Sequence, residues 1–253
     1  MSVFEIVFSP TGGTQKVSGL VAGALGKNTV TVDLTDSGLD FNAVSMTEDD
    51  VAVISVPAYA GRIPAVVADR LGMVRGNGAR AVLVCVYGNR AFEDTLVELE
   101  DVAKHAGFRV IAAVAAIAEH SIARQFAAGR PDAQDAAQLA EFAQQIQQKL
   151  LAEDASEPSI PGNRPYKDWQ PMPVVPQVSD SCIRCGLCSA TCPTQAIPSG
   201  QPHTTDPQKC ILCLRCTTIC PQQARSLPQQ AQALIAQKLA PIKDIYKNNE
   251  FFC

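Results

Sequence analysis

A parallel α/β domain followed by a small appended domain is what three features of this 253-residue sequence predict. Over the first 154 residues, five short runs rich in valine, isoleucine or alanine alternate with segments of helical apolar spacing. The alternation then gives way to a stretch dense in proline, and eight of the ten cysteines crowd into residues 182–220 beyond it. Alternating strands and helices imply a sheet covered on both faces, because right-handed crossovers place the helices there.

The runs at residues 3–8 (VFEIVF), 29–34 (TVTVDL), 51–56 (VAVISV), 81–86 (AVLVCV) and 110–117 (VIAAVAAI) suit strands buried on both sides, although the alanines of the fifth are compatible with helix as well. Helical spacing covers residues 15–25, 64–73, 92–105 and 132–151; residues 35–50 carry at most a short helix. Residues 155–178 read as a semi-rigid linker, with prolines at 158, 161, 165, 171, 173 and 176 forcing extended backbone. Tyr166 and Trp169 are its candidate anchors to a domain surface. Residues 179–228 hold the cysteines, and residues 229–253 hold one amphipathic helix, Gln229–Leu239, and an apolar tail that docks back.

The composition, 47% hydrophobic and 18% charged, supports one sizeable core plus a small domain. The sequence shows neither a basic leader followed by an apolar stretch nor an apolar window long enough to span a membrane, which points to the cytoplasm. A net charge of −4 argues against a nucleic-acid surface. Disulfides are a poor use of cysteines two residues apart, since they would close very small, strained loops.

"CIRCGLCSATCP" from Cys182 and "CILCLRCTTICP" from Cys210 are offset by 28 residues, and both read C-x2-C-x2-C-x3-C-P. Zinc sites use two separated C-x2-C pairs, whereas three cysteines spaced by twos wrap three corners of an iron-sulfur cube and the fourth reaches the neighbouring cluster. The spacing therefore predicts two [4Fe-4S] clusters. Cys182, Cys185, Cys188 and Cys220 are the expected ligands of one, and Cys210, Cys213, Cys216 and Cys192 of the other. Cys85, within a strand, is expected to act as a small buried apolar residue; Cys253 has no partner in the pattern.

"FSPTGGTQK" follows the first strand and opens the first helix, without the glycine pattern of a dinucleotide site or the G-K-[ST] of a triphosphate loop. Hydroxyls and free amides at a helix N-terminus suit one phosphate monoester, or form a simple capped turn. The third and fourth strands end in "SVPAYAGRIP" and "VYGNRAFED", bringing Tyr59 and Tyr87 to the rim where an open sheet binds ligands. Either tyrosine can stack on a planar ring or serve as core.

Ser-Pro-Thr-Gly-Gly-Thr resembles the flavodoxin phosphate loop, and the whole chain resembles flavodoxin/ferredoxin fusion electron-transfer proteins, over residues 1–152 and 180–228 respectively. That resemblance implies a five-stranded flavodoxin-like sheet of order 2-1-3-4-5 plus a small bacterial ferredoxin-like α+β domain. It implies FMN, with Ser9, Thr11, Gly12, Gly13 and Thr14 on the phosphate. Around the isoalloxazine it places Pro57, Ala58, Tyr59, Ala60 and Gly61, then Tyr87, Gly88, Asn89, Arg90, Phe92 and Asp94. Ala58-Tyr59 stands where flavodoxins often carry tryptophan, and Gly88-Asn89-Arg90 is less acidic than their third loop. Glu119-His120-Ser121 also resembles the fusion proteins, with no chemistry evident from the residues themselves.

A flavin takes two electrons and releases them singly, whereas each cluster carries one. The combination predicts low-potential electron transfer among the clusters, FMN and a donor or acceptor redox protein. An alternative is an FMN-dependent reductase of a small molecule fed by the clusters, which needs an acid near the flavin such as Tyr59, Tyr87 or His120. A binding module that has lost FMN fits least, since both cysteine runs are intact.

Overall fold

The computed structural model describes residues 2–169 and 172–253; Gln170 and Pro171, within the expected linker, lie outside the described residues. In chain order come β1 (Val3–Val7), α1 (Gly13–Leu25), β2 (Thr29–Asp33), β3 (Val51–Pro57), α2 (Ala65–Leu71), β4 (Arg80–Tyr87), α3 (Thr95–His105), β5 (Arg109–Ile117) and α4 (Ala133–Leu151). The strands order as β2-β1-β3-β4-β5, all parallel, which is flavodoxin-like topology. Between β2 and β3 the one helical element among the described residues is a single 3-10 turn, Phe41–Ala43. The alanine-rich fifth run is a strand: its small side chains are buried on both faces, where helices pack closely.

Two apolar layers enclose the sheet. Val17 and Val21 of α1 and Leu139 and Ile146 of α4 cover one face, and Val67, Leu71, Leu96 and Leu99 of α2 and α3 cover the other. Cys85 lies in the second layer, fully buried. At the start of α4, Asp132 caps the helix, and Asp135 joins Arg130 in an ion pair buried to 0% and 6% exposure. Asn249 and the backbone N–H of Asp132 also donate to Asp135, so the buried carboxylate is fully answered.

Beyond the linker come β6 (Gln177–Val178), α5 (Leu187–Ala190), α6 (Arg215–Thr218), β7 (Arg225–Ser226), α7 (Gln229–Leu239) and β8 (Glu250–Phe252). β6 and β7 pair antiparallel, closing the cysteine-bearing segment on itself. The sheet has six strands, one more than expected, because β8 adds antiparallel to the free edge of β5. Its alternation explains the "EFF" tail. Phe251 stacks on Phe142 of α4 at 5.0 Å, and Phe252 meets Phe92 on the other face at 6.4 Å. A three-residue strand has too little pattern to be recognised without the edge it covers.

Proline does force residues 155–169 to run extended, and the chain is strapped along α3. Arg164 pairs with Glu100 and Asp101, Tyr166 donates to Asp101, and Asp94 accepts from the backbone N–H groups of Asn163 and Lys167. Arg62, paired with Glu98, donates to Lys167 O and lies 4.9 Å from the Tyr166 ring centre.

Candidate functional site

The carboxyl ends of β1, β3, β4 and β5 open into one continuous groove. Its polar end, about 230 Å³, is lined by Thr11, Gly13, Lys16, Arg124 and Arg130, with Thr217 and Thr218 of the cysteine-bearing segment opposite. A narrow neck of about 70 Å³ passes Thr14, Pro57, Val86 and Ala118. It widens into a mostly apolar chamber of about 410 Å³ between Ala58, Tyr59, Tyr87 and Gly88 on one side and Ile211 and Leu212 on the other. Trp169, Met172 and, on α7, Ile235 and Leu239 close this chamber. The linker and α7 were not expected in the site, because only tertiary docking brings them there.

The glycine loop has the conformation its sequence suggests. Gly12 adopts φ +89°, a left-handed turn that leads into α1 with its first amides unpaired within the helix. Ser9 Oγ accepts from Gln15 N–H at 2.8 Å and keeps its own proton to donate. Thr14 is buried and Thr11 borders the groove. Hydroxyls, amides and Lys16 make this end suited to an anion, while Arg124 pairs there with Glu119, which also lines the cavity, and Arg130 is held by Asp135. The three cations were not among the expected contacts; "ARQFAAGR" carries two of them, but nothing local points them inward.

The two rim loops are built differently from their expected role. Tyr59-Ala60-Gly61-Arg62 is a tight hairpin turn with φ of +53° and +88° at its centre, closed by hydrogen bonds between Tyr59 and Arg62. A Cβ on Gly61 would fall 1.9 Å from Glu93, so this glycine makes room for a side chain of the next loop. Gly88 likewise makes room for His120, which a Cβ would approach to 2.5 Å. Tyr87 is nearly buried, edge-on to Phe92 at 5.5 Å, and is held as much by the core as by the groove. Asn89, Phe92, Asp94 and Gly61 do not line the groove. Asn89 donates to Ile242 O and Ile245 O of the tail, Phe92 joins the aromatic core, and Asp94 holds the linker. Arg90 does line the chamber and pairs with Glu93. Ala58 and Ala60 also line it, leaving Tyr59 and Trp169 as the large flat side chains least committed elsewhere.

His120 acquires a clear geometry. Its Nδ1 accepts the N–H groups of Ile122 and Ala123 at 3.2 and 3.1 Å, so the neutral ring carries its proton on Nε2, at the groove wall. Burial, with Arg90 adding to it, depresses the imidazole to about 4. It is therefore a fixed hydrogen-bond donor and not a proton source near neutral pH. Burial pushes the phenols of Tyr59 and Tyr87 upward, and for Tyr59 the nearby thiols of Cys213 and Cys210 act in the same direction.

The eight cysteines divide into two sets of four. Cys182, Cys185, Cys188 and Cys220 surround one small cavity; Cys192, Cys210, Cys213 and Cys216 surround a second. Each set draws three thiols from one repeat and the last from the other. The wrapping comes from left-handed residues between the ligands: Arg184 and Gly186 in the first repeat, Leu212 and Leu214 in the second, all at φ between +54° and +78°. The Ala196 and Ala224 N–H groups donate to Cys192 Sγ and Cys220 Sγ, each at 3.3 Å. Buried Nε–H groups of Arg215 and Arg225, residues that line one cavity each, have no protein partner. Burial pushes the thiols of Cys213 and Cys216 up to about 12 and 11, so they stay protonated near neutral pH unless something binds the thiolates.

Residues 181–224 match the 4Fe-4S dicluster domain. Among solved structures, the α/β domain is similar to a flavodoxin of Streptococcus pneumoniae TIGR4, at 19% identity over 58% of this chain and 99% of that one, with TM-score 0.42. A Megasphaera elsdenii flavodoxin matches at 18% identity over 56% and 98%, TM-score 0.36, and a flavodoxin from the domain Archaea at 10% over 60% and 99%, TM-score 0.41. No curated protein matches the chain. No helix among the described residues is long and apolar enough to cross a membrane.

The depressed His120 has a sign that can be tested. Its folded value lies below the ordinary 6.5, so its contribution is complete above that pH and is lost as the pH falls towards 4. Between pH 7 and 5, wild-type protein should lose stability faster than His120→Gln, by at most about 1.4 kcal/mol per pH unit, in thermal or denaturant unfolding. Parallel slopes would show that the ring titrates normally.

Proposed function

We propose that the chain carries low-potential electrons between two [4Fe-4S] clusters and FMN, exchanging them with a partner redox protein. The observation that supports this most strongly is the Cys210–Cys213 stretch: Cys210 and Cys213 border the second thiol cavity, while Ile211 and Leu212 between them border the flavin-sized chamber. One loop thus separates the two sites, and tethering makes their exchange intramolecular. On this reading Thr11, Gly12, Gly13 and Thr14 hold the FMN phosphate, with Ser9 donating beside them, and Tyr59, Gly88 and His120 face the ring. Cys182, Cys185, Cys188 and Cys220 hold the outer cluster; Cys192, Cys210, Cys213 and Cys216 hold the inner one. The flavin supplies conversion between paired and single electrons, the clusters single-electron storage. Residues 1–154 are then the flavin unit and 179–228 the dicluster unit, linked by 155–178 and braced by 229–253. Neutral His120 argues for electron transfer over small-molecule reduction, since it offers no proton at working pH.

Anaerobically purified protein should contain about eight irons and eight labile sulfides per chain, by elemental and sulfide analysis. Cys220→Ser should disturb the cluster of the first repeat's three cysteines and spare the other; loss of the opposite cluster refutes the crossed sets. FMN should bind far more tightly than riboflavin. Thr14→Ala should weaken FMN by roughly ten- to a hundredfold in fluorescence titration, the loss of one hydrogen bond to a charged group at about 1.5–3 kcal/mol. Equal affinity for the two flavins would remove the phosphate site.

A further inference from the structure

Under the 28-residue offset much of the lining of the two thiol cavities corresponds: Ile183 with Ile211, Pro193 with Pro221, Ala196 with Ala224. At one fully buried position the correspondence changes charge. Ile197, 3% exposed, lines the cavity of Cys192, Cys210, Cys213 and Cys216; its counterpart on the other cavity, 4% exposed, is Arg225. The Arg225 guanidinium donates to Thr205 Oγ1 at 2.9 Å, to Thr204 O at 3.1 Å and to Pro202 O, all neutral acceptors. Among the described residues no carboxylate lies within 4.0 Å of it, and its buried Nε–H has no partner. A desolvated cation is costly unless an anion answers it.

We propose that Arg225 is the counter-charge of the cluster held by Cys182, Cys185, Cys188 and Cys220, and that it raises that cluster's reduction potential. The inference rests on the two-cluster reading. Reduction adds one electron to a group already negative with its thiolates, and a fixed cation in a low-dielectric setting favours the more negative state. Arg215 stands on the other cavity where the first repeat has Leu187, and its Nε–H is likewise buried without a partner, but the side chain is partly exposed and water screens its charge. The flavin-sized chamber is bordered by Ile211 and Leu212 of the second repeat, so the cluster Arg225 serves is the one farther from it. Through Thr205, which lines the other cavity, Arg225 also stands near Cys210 and Cys216, but it lines only the outer cavity, so its charge favours the first electron resting on the outer cluster.

The test is a redox titration of the full-length, cluster-loaded protein followed by paramagnetic resonance. Arg225→Ile, which copies the other repeat, should lower one cluster's potential so that its reduced-to-oxidised ratio at fixed solution potential falls tenfold or more, about 59 mV for one electron. Arg225→Lys, keeping the charge, should recover most of the shift. Unchanged potentials in Arg225→Ile with eight irons present overturn the inference, whereas fewer than eight irons in the wild type overturn the two-cluster reading instead. If Arg225→Ile fails to assemble, the wild type decides: contact-shifted cysteine β-proton signals must locate the first electron on the Cys182 cluster, and an electron shared evenly or held by the inner cluster refutes the role of Arg225.

Discussion

Ile211 packs against the core of the α/β sheet while the cysteines that flank it, Cys210 and Cys213, line a thiol cavity. That double commitment fixes the distance between the chamber and the thiol cavity. Its apolar side chain joins the larger core, and the cysteine-bearing segment cannot lift away without exposing it. Arg70 adds a polar counterpart, reaching from α2 to Leu34 O and Pro193 O, the latter beside Cys192. The groove exists because these contacts hold the second repeat across the ends of the strands.

The linker and the tail brace this arrangement instead of tethering it loosely. Asp94, Arg62 and Asp101 strap residues 163–167 to α3, so that Trp169 arrives at the chamber wall. From the other side, Asn89, Lys247 and Arg130 fasten residues 242–247 over the fourth-strand loop, with the Tyr246 ring 4.5 Å from the Arg130 guanidinium carbon. Many of these bonds end on backbone groups, which hold position without demanding a particular side chain from the partner.

The parallel strands were legible because strands covered on both faces must be apolar throughout, and their bounds lie within about a residue of the apolar runs. For the cysteines, the spacing alone carries the expected ligand sets, and the two cavities are lined by the same two groups of four, although among the described residues no three stand arranged to hold a single metal ion. The rim loops were only half legible. Tyr59 and Gly88 reach the chamber, but Gly61 and Gly88 answer to Glu93 and His120, and Asp94 to a segment some 70 residues away. Such partners meet only after folding. Arg225 is the reverse case: its departure from the repeat is plain in the sequence, yet it acquires meaning only once burial and the lack of a carboxylate partner are known.

The central claim is that clusters and flavin exchange electrons inside one chain, across the Cys210–Cys213 loop. Rapid mixing of the intact, fully loaded protein with a small reductant that enters through the clusters, following flavin and cluster absorption separately, tests it directly. Intramolecular exchange predicts flavin reduction at a rate unchanged over a tenfold or greater range of protein concentration, because the tether supplies an effective concentration up to about millimolar. A rate rising in proportion to protein concentration contradicts it, and would mean that the two sites meet only between molecules.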